Sequence, residues 1–234
     1  MIKVENVEVF GWEAAIRGMR NPMNSWAKSD SYYGCELGEC KSCDDGEFGN
    51  CRDFYSDYII GENDLDLMRR LYKAGTEHRK YLRMIHVQMD ITAPLYWWKE
   101  FDTYKVGTTA NSCSTMHKIH AKEFTLDDFS YEHLTLYDPD GEIHYDFLAT
   151  LEDMVDELNM TRKLFLETND KKWWWQMIQL LPSSYNQRRT VDFNYETAVN
   201  MIMQRCNHKL DEWRAFVDVL LELPYIKEIM GVQS

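Results

Sequence analysis

The sequence predicts a mixed α/β (α+β) fold in which a small central sheet is flanked by long helices. Ile85–Thr92 alternates apolar and polar residues, as expected of a strand with one buried face and one polar face. Several other segments carry apolar residues at helical spacing, and the longest of them is His144–Glu167. Because neither an internal repeat nor a long linker divides the 234 residues, we expect a single domain over 1–234.

The first half of the chain is predicted to alternate strands and helices around an irregular polar region. The predicted elements are a strand over Ile2–Phe10, a helix over Gly11–Met19, a helix from Asn63 or Asp64 to Arg83 that Gly75 can divide, the strand Ile85–Thr92, and a helix over Leu95–Lys105. Proline fits the first turn of a helix, and Pro94 therefore marks the start of the last of these elements.

The second half is predicted to be mainly helical. After an irregular stretch over Phe124–Asp138, helices are expected over His144–Glu167, Asp170–Leu181, Tyr195–Cys206 and Leu210–Leu223. Their apolar residues recur every three or four positions, which gives each helix one face to bury. The residues before Tyr195 form a polar stretch to which the pattern assigns neither helix nor strand.

Charge and hydropathy restrict the classes of partner. With 26 basic and 39 acidic residues, the formal charge is −13, which disfavours non-specific binding to nucleic acid or to an anionic membrane. No apolar run is long enough to cross a bilayer, and the first residues lack the pattern of a secretory signal. We therefore expect a cytoplasmic protein that binds neither nucleic acid nor a membrane.

The segment Gly107–Thr115 consists of small residues, most of which carry a hydroxyl, amide or thiol group. Small side chains let the backbone approach a ligand closely, and exposed N–H and hydroxyl groups suit oxygen-rich ligands. Lys105 precedes the segment, and His117 and Lys118 follow it, so both ends carry groups that can be positively charged. Two interpretations are open: a ligand-binding loop, or a polar connector between two elements.

Four of the six cysteines, Cys35, Cys40, Cys43 and Cys51, lie in a Gly- and Asp-rich region over 31–60. In a reducing cytosol, metal binding is favoured over disulfide bonds, and four thiolates suit a tetrahedral zinc ion. We expect structural zinc first, unliganded thiols second and an iron–sulfur site third. A zinc ion held by all four thiolates would stabilise the loop and leave no coordination position for catalysis.

The order of the elements resembles the flavin-dependent thymidylate synthase family, whose members are ThyX-like proteins, over Asn63–Leu221. The family signature consists of Arg-His-Arg, then a spaced Ser, Asn and Ser, and a closing Arg-Tyr. Thr103–Lys105 is similar in position to the Arg-His-Arg, and Cys113 takes the place of the second Ser. A one-residue gap puts Ser114 there instead. The signature has therefore diverged, and the cysteine-rich region 31–60 resembles an insertion into the ThyX-like fold.

Residues on both sides of the signature resemble the family more closely in type and spacing. The resemblance implies cofactor-binding roles for His78, Lys105, Arg188, Asn194 and Asn200. It implies substrate-binding roles for Arg205, Lys105 and Ser114, and catalytic roles for Cys113 and Ser114.

Glu196 departs from the family, which has an Arg two residues after the position of Asn194. Phosphorylated ligands require cationic or N–H donor groups, preferably arginines that can bind in a bidentate manner. Arg17, Arg20 and Arg189 are the cations expected to compensate for the arginines that the signature has lost.

The resemblance implies a homotetramer that binds FAD and dUMP in sites between subunits. In the family, FAD reduced by NADPH delivers a hydride equivalent, and methylenetetrahydrofolate supplies the carbon. Three functions are open: methylation of dUMP to dTMP, modification of a different pyrimidine nucleotide, and non-catalytic nucleotide binding or assembly. The first is the working hypothesis, because several polar residues match the spacing of the family.

Overall fold

The computed structural model describes residues 2–34, 57–134 and 147–232. Within these ranges strands and helices follow one another along the chain. In order, they are β1 (Lys3–Phe10), α1 (Trp12–Arg20), β2 (Tyr32–Gly34), β3 (Asp57–Ile59), α2 (Glu62–Lys73), β4 (His86–Pro94), α3 (Leu95–Phe101), β5 (Thr108–Ser112), α4 (Thr115–Lys118), α5 (Phe147–Thr168), α6 (Lys171–Leu180), β6 (Asn186–Asn194), α7 (Tyr195–Arg205), α8 (Asp211–Leu221) and α9 (Ile226–Met230). None of the described helices is long and apolar enough to cross a membrane.

The larger sheet has the strand order β1-β4-β6-β5, and a smaller sheet pairs β2 with β3. β5 lies at an edge and runs antiparallel to β6, so that Thr108 is opposite Phe193 and Ser112 is opposite Arg189. β4 confirms the predicted strand, because Val87, Met89 and Ile91 are buried along one face as the alternation requires. The sheet therefore contains the strand that the sequence predicts best.

Two strands of the larger sheet were not predicted. The segment interpreted as a loop or connector contains β5, and the polar stretch before Tyr195 is β6. β5 is mostly exposed, so it has no apolar face for the sequence to reveal. β6 buries Val191 and Phe193, but the polar residue Gln187 is also buried there and interrupts the apolar alternation.

Several predicted helices end earlier than expected. α2 stops at Lys73, because Gly75 adopts a left-handed conformation with φ +114° and reverses the chain. Only a short 3₁₀ helix, Lys80–Met84, forms in the remainder of that predicted helix. α3 ends at Phe101 rather than at Lys105. The long helix is confirmed over the residues described, as α5.

The chain forms two compact units, and each unit is made of three segments of the chain. Unit 1 comprises Met1–Glu8, Gln88–Phe193 and Gln204–Val219. Unit 2 comprises Val9–Val87, Asn194–Met203 and Leu220–Ser234. The single domain expected over 1–234 stays a prediction.

Aromatic side chains dominate the core of unit 1. Trp97 and Phe101 on α3 pack against Trp213 and Phe216 on α8. Trp98 packs against Trp97 and Phe101, and all five side chains are at most 1% exposed. The Trp97 and Trp213 ring centroids are 4.8 Å apart. Rings of this size bury much apolar surface and prefer tilted or edge-on contacts, which fixes α3 against α8.

Unit 2 has a separate core in which Ile16, Met68, Leu82, Ile85 and Tyr195 are fully buried. Its chain path requires a glycine at one point. Gly11 has φ +97°, and a Cβ there would lie 2.2 Å from the carbonyl oxygen of Met84. The close approach places α1 beside the 3₁₀ helix Lys80–Met84.

Candidate functional site

Unit 1 contains a pocket of about 480 Å³ where β4, β5, β6 and α4 meet. Three residues predicted to belong to the site, Cys113, Ser114 and Arg188, line it together. The complete lining is Thr92, Cys113, Ser114, Thr115, Lys118, Ile119, Lys122, Asp127, Asp128, Tyr185, Asn186, Gln187 and Arg188. The volume lies in the range of small-molecule sites.

The backbone of Cys113 is fixed from two sides. Its N–H donates to the carbonyl oxygen of Arg188 at 2.9 Å, which extends the β5–β6 pairing by one residue. Its carbonyl oxygen accepts from Nε2 of Gln187 at 2.8 Å. Cys113 is a free cysteine and is exposed. The fold therefore fixes the main chain of Cys113 while leaving this residue accessible.

Gln187, which the sequence did not indicate, connects Cys113 to a wider network. It is 7% exposed, and its Oε1 accepts from Nε of Arg189 at 2.9 Å. Arg189 also donates to Asp102 at 2.7 Å and lies 4.2 Å above the ring of Trp98. Arg189 is thus held by contacts within unit 1, and its compensating role stays a prediction. The sequence could have indicated Gln187 by its spacing, because it is four residues before Val191 and therefore lies on the same buried face of β6.

Arg188 is anchored on the polar face of the sheet by Asp90. Its NH2 group donates to Oδ2 of Asp90 at 2.8 Å, and its NH1 lies 3.6 Å from Glu5. Asp90 also accepts from Thr190 at 2.5 Å and from Asn6 at 2.8 Å. Hydrogen bonds from Thr190, Arg188 and Asn6 hold the pKa of Asp90 well below its usual range, and Asp90 in turn raises the pKa of Arg188.

Two lysines on or near α4 differ in their availability to a ligand. Lys122 forms an ion pair with Asp128 across the pocket wall. Lys118 is exposed and forms no ion pair with any residue that the structure describes. Ser114 caps α4, since its Oγ accepts from the N–H of His117 at 2.9 Å. Lys118 and the Ser114 hydroxyl hydrogen can therefore serve an anionic or oxygen-rich ligand.

Tyr185 forms another part of the pocket wall. Burial, followed by the negative charges of Asp128 and Cys113, raises the pKa of Tyr185. Its phenol consequently stays protonated near neutral pH and can act as a hydrogen-bond donor.

Thr103–Lys105 stands in the place of the Arg-His-Arg signature, and two of its three side chains form hydrogen bonds within unit 1. Thr103 bonds back to the carbonyl oxygen of Glu100 at 2.7 Å. Tyr104 donates to Gln204 at 3.0 Å and accepts from Nε of Arg205 at 2.9 Å. Lys105 is exposed and forms no ion pair within the described ranges. Of the three residues, Lys105 is the one open to a ligand.

Arg205 lies in unit 1. Neither Arg205 nor the described residues that contact it line the pocket. Its NH1 donates to Glu100 at 2.8 Å, and His208 contacts the same carboxylate oxygen at 3.0 Å. The guanidinium also lies 4.8 Å above the ring of Trp213. These contacts give Arg205 a structural role, and its substrate-binding role stays a prediction.

Three of the predicted cofactor-binding residues lie in unit 2. His78 is exposed in the turn that follows Gly75. Asn194 caps α7, because its Oδ1 accepts from the N–H of Thr197 at 3.0 Å and from the Thr197 hydroxyl at 3.1 Å. Asn200 is half-buried on α7. The contacts do not test the flavin-binding roles of these residues.

Glu196, which occupies the position of a family Arg, interacts with two arginines of the preceding segment. It accepts a hydrogen bond from Arg83, and its Oε1 lies 3.6 Å from Nε of Arg79. Nε of Arg79 is buried without any hydrogen-bond partner among the described residues. Two cationic side chains therefore lie beside the carboxylate at position 196.

Arg17 and Arg20, the other two arginines expected to compensate for the signature, form ion pairs within unit 2. Arg17 pairs with Glu13 at 2.5 Å on the surface of α1. Arg20 is 3% exposed, and its Nε donates to Asp64 at 2.6 Å. The expectation that Arg20 compensates for a lost ligand-binding arginine is wrong, because its side chain is buried against a carboxylate.

The predicted zinc ligands Cys35, Cys40, Cys43 and Cys51 lie outside the described residues. Within 2–34, 57–134 and 147–232, no group of three or more His, Cys, Asp or Glu side chains is arranged to hold a metal ion. Zinc binding by the four cysteines stays a prediction.

The sheet order, the long helices and the extent of the chain define a ThyX-like fold, as the sequence predicted. The chain is similar to thymidylate synthase X (ThyX) from Helicobacter pylori, solved with FAD and dUMP, at 16% identity and a TM-score of 0.63. That match covers 98% of this chain and 97% of the other. A second structure of flavin-dependent thymidylate synthase ThyX from Helicobacter pylori, complexed with FAD and dUMP, matches with 16% identity, 97% coverage of both chains and a TM-score of 0.62. No family model and no curated protein sequence matches the chain.

Proposed function

We propose that this protein is a flavin-dependent enzyme that methylates dUMP to dTMP, using FAD, NADPH and methylenetetrahydrofolate. The observation that supports this function most is the pocket that contains Cys113, Ser114 and Arg188 in a chain with a ThyX-like fold. The resemblance to the family had indicated these three residues. In the similar structures from Helicobacter pylori, the same fold accompanies FAD and dUMP.

The pocket in unit 1 is the proposed nucleotide site. Its volume of about 480 Å³ suits a mononucleotide. Arg188 and Lys118 would bind the phosphate, Arg188 being fixed in place by Asp90. The Ser114 hydroxyl and the Asn186 amide can form hydrogen bonds with the pyrimidine ring.

Unit 2 contains polar and charged residues that fit an anionic cofactor such as FAD. The buried Nε of Arg79 has no hydrogen-bond partner among the described residues, and a phosphate oxygen would supply the missing acceptor. His78, Lys105, Arg188, Asn194 and Asn200 are the proposed cofactor-binding residues. When bound, the flavin supplies the hydride equivalent that reduces the transferred carbon to a methyl group.

Cys113 and Ser114 are the proposed catalytic residues. The hydrogen bonds of Cys113 with Arg188 and Gln187 fix its main chain, so its thiol is held at the pocket wall without strain on the strand. Tyr185 keeps its proton near neutral pH and can donate a hydrogen bond to an oxygen of the substrate. These residues therefore bind and orient the nucleotide for reaction.

The assay that tests the function measures dTMP formation from dUMP in the presence of FAD, NADPH and methylenetetrahydrofolate. We expect turnover by the wild-type protein and a loss of about 100-fold or more in Cys113→Ala, as for removal of a positioned catalytic group. Cys206→Ala is the matched control, because Cys206 is also an exposed cysteine but does not line the pocket. Full activity of Cys113→Ala would remove Cys113 from the mechanism, and absence of dTMP would contradict the proposed reaction.

A non-catalytic nucleotide-binding protein is the second candidate, and one observation favours it. Tyr104 and Arg205 bond to each other, and Arg205 also bonds to Glu100, so neither is free to polarise a substrate. Such a protein would bind dUMP without forming dTMP. The same assay can be run with a panel of pyrimidine nucleotides. Turnover of a nucleotide other than dUMP would indicate an enzyme that modifies a different nucleotide, which neither candidate predicts.

The proposed assembly is a homotetramer. Light scattering on the purified protein measures its mass directly, and a mass equal to that of one chain would contradict this part of the proposal.

A further inference from the structure

Arg79 is a buried cation whose Nε lacks a hydrogen-bond partner among the described residues. The residue is 8% exposed, and its Nε has no hydrogen-bond partner among the residues described. Buried guanidinium groups are normally both charge-compensated and hydrogen-bonded. The two contacts of Arg79, with Glu196 and with the ring of Tyr72, supply charge compensation and packing but no hydrogen bond.

The geometry of these two contacts explains the missing bonds. Glu196 lies 3.6 Å from Nε of Arg79, which is too long for a hydrogen bond, and its other oxygen accepts from Arg83. The guanidinium carbon of Arg79 lies 5.3 Å from the centre of the Tyr72 ring. The Tyr72 hydroxyl is directed instead to the sulfur of Met203 at 3.9 Å.

The cluster also carries more positive than negative charge. Arg79 and Arg83 share a single carboxylate, that of Glu196, so the three side chains have a net charge of one positive unit. The Arg83 side chain is 54% exposed, which leaves its other nitrogens accessible from solvent. His78 is adjacent to Arg79 in the chain and is exposed. One more anion would balance the charge and accept the unused hydrogen bonds.

We propose that Arg79 and Arg83 form a binding site for phosphate oxygens, in which Glu196 holds the two guanidinium groups beside each other. Phosphate suits the site because two forked guanidinium groups present several donors, and a phosphate offers three or more acceptor oxygens. The phosphate comes either from a free inorganic anion or from the diphosphate of a dinucleotide. The second source rests on the proposed function, since FAD carries such a diphosphate.

Titration with inorganic pyrophosphate, followed by calorimetry, tests the site without any need for turnover. Arg79→Gln should weaken pyrophosphate binding by about tenfold or more, because it removes a charged donor from a poorly solvated position. Arg70→Gln is the matched control, since Arg70 lies in the same unit but is exposed and paired with Asp66 one helical turn away. We expect its affinity to stay within about twofold of the wild type. Equal affinities in all three proteins, or no binding by the wild type, would overturn the site.

Arg79→Lys keeps the test decisive if Arg79→Gln does not fold. Lysine retains the charge but loses the guanidinium fork, so pyrophosphate binding should still weaken several-fold. In the wild type, the Arg79 Nε–H resonance should shift during the titration. Wild-type affinity in Arg79→Lys, together with an unmoved Nε–H resonance, would contradict the proposal.

Parallel titrations with ADP and FAD distinguish the two sources of phosphate. FAD binding that weakens in Arg79→Gln supports a dinucleotide ligand. If the protein binds pyrophosphate but does not bind FAD, the anion site is supported and the proposed flavin function is contradicted. FAD binding that is equal in the wild type and in Arg79→Gln retains the flavin function and contradicts the dinucleotide as the source of the phosphate.

Discussion

Two buried arginines of unit 2, Arg20 and Arg79, are used in opposite ways. Arg20 is 3% exposed and donates from Nε to the fully buried carboxylate of Asp64 at 2.6 Å. Its NH1 also contacts the backbone oxygen of Ser25 at 3.2 Å, and its NH2 alone has no partner among the described residues. Arg79 is 8% exposed, and the Nε of its side chain has no hydrogen-bond partner in the part of the chain that the structure describes.

The acceptors around each arginine account for the difference. Asp64 receives hydrogen bonds from Ser29 and Ser31 as well as from Arg20, so its carboxylate belongs to a closed structural network. Glu196 is shared by Arg79 and Arg83 and satisfies only the latter. A buried charge with its own network stabilises the fold, whereas a buried charge that lacks acceptors is suited to a ligand.

The largest effect is expected at Asp64. Asp64→Ala leaves Arg20 buried without its counter-charge, so the free energy of unfolding should fall by about 3–5 kcal/mol. Urea denaturation measures this change. The control is Asp66→Ala, which removes an exposed ion pair with Arg70 and should cost at most about 0.5 kcal/mol. Similar losses in the two variants would contradict the structural role of Arg20.

A smaller effect is expected when the pH is lowered. Burial raises the pKa of Asp64, but hydrogen bonds from Ser31, Ser29 and Arg20 outweigh it, and the net pKa lies below the ordinary value of 3.8. A carboxylate with a lowered pKa in the folded state stabilises the protein above its unfolded pKa. That stability is lost as the pH falls from about 4 through the folded pKa.

Thermal unfolding measured between pH 7 and pH 2 should therefore show a steeper decline below pH 4 for the wild type than for Asp64→Asn. The asparagine variant carries no titrating group at this position, so it serves as the reference. Parallel curves for the two proteins would show that Asp64 does not contribute to the acid sensitivity.

The smallest effect on stability is expected at Arg79. Arg79→Met removes a buried charge whose Nε has no hydrogen-bond partner among the described residues. Because Glu196 stays paired with Arg83, the free energy of unfolding should change by less than about 1 kcal/mol without ligand. The equivalent change Arg20→Met should be severely destabilising. A large loss in Arg79→Met would mean that Arg79 is a structural residue like Arg20, and the distinction between them would fail.

The sequence indicated the parts of the fold that follow one repeating pattern. β4 alternates buried Val87, Met89 and Ile91 with polar residues, and α5 repeats apolar residues at helical spacing, so both were predicted. β5 was missed because an exposed edge strand has no apolar face. β6 was missed because Gln187 is buried among its apolar residues and resembles a loop residue in the sequence.

The candidate site was predictable in part. Cys113, Ser114 and Arg188 were selected by type and spacing, and they line one pocket. Long-range partners determine the availability of each arginine, and sequence spacing does not reveal them. Arg20 donates from Nε to Asp64, which lies 44 residues later in the chain. The Nε of Arg79 has no such partner among the described residues.

The measurement that tests the central claim most directly is a titration of the purified protein with FAD, followed by flavin absorbance and fluorescence. We expect saturable binding of one FAD per chain, weakened in Arg79→Gln and unchanged in Arg70→Gln. Addition of dUMP should then perturb the spectrum of the bound flavin, because the proposed reaction requires the flavin to reduce the carbon transferred to dUMP. A protein that takes up no FAD at saturating concentration would contradict the account.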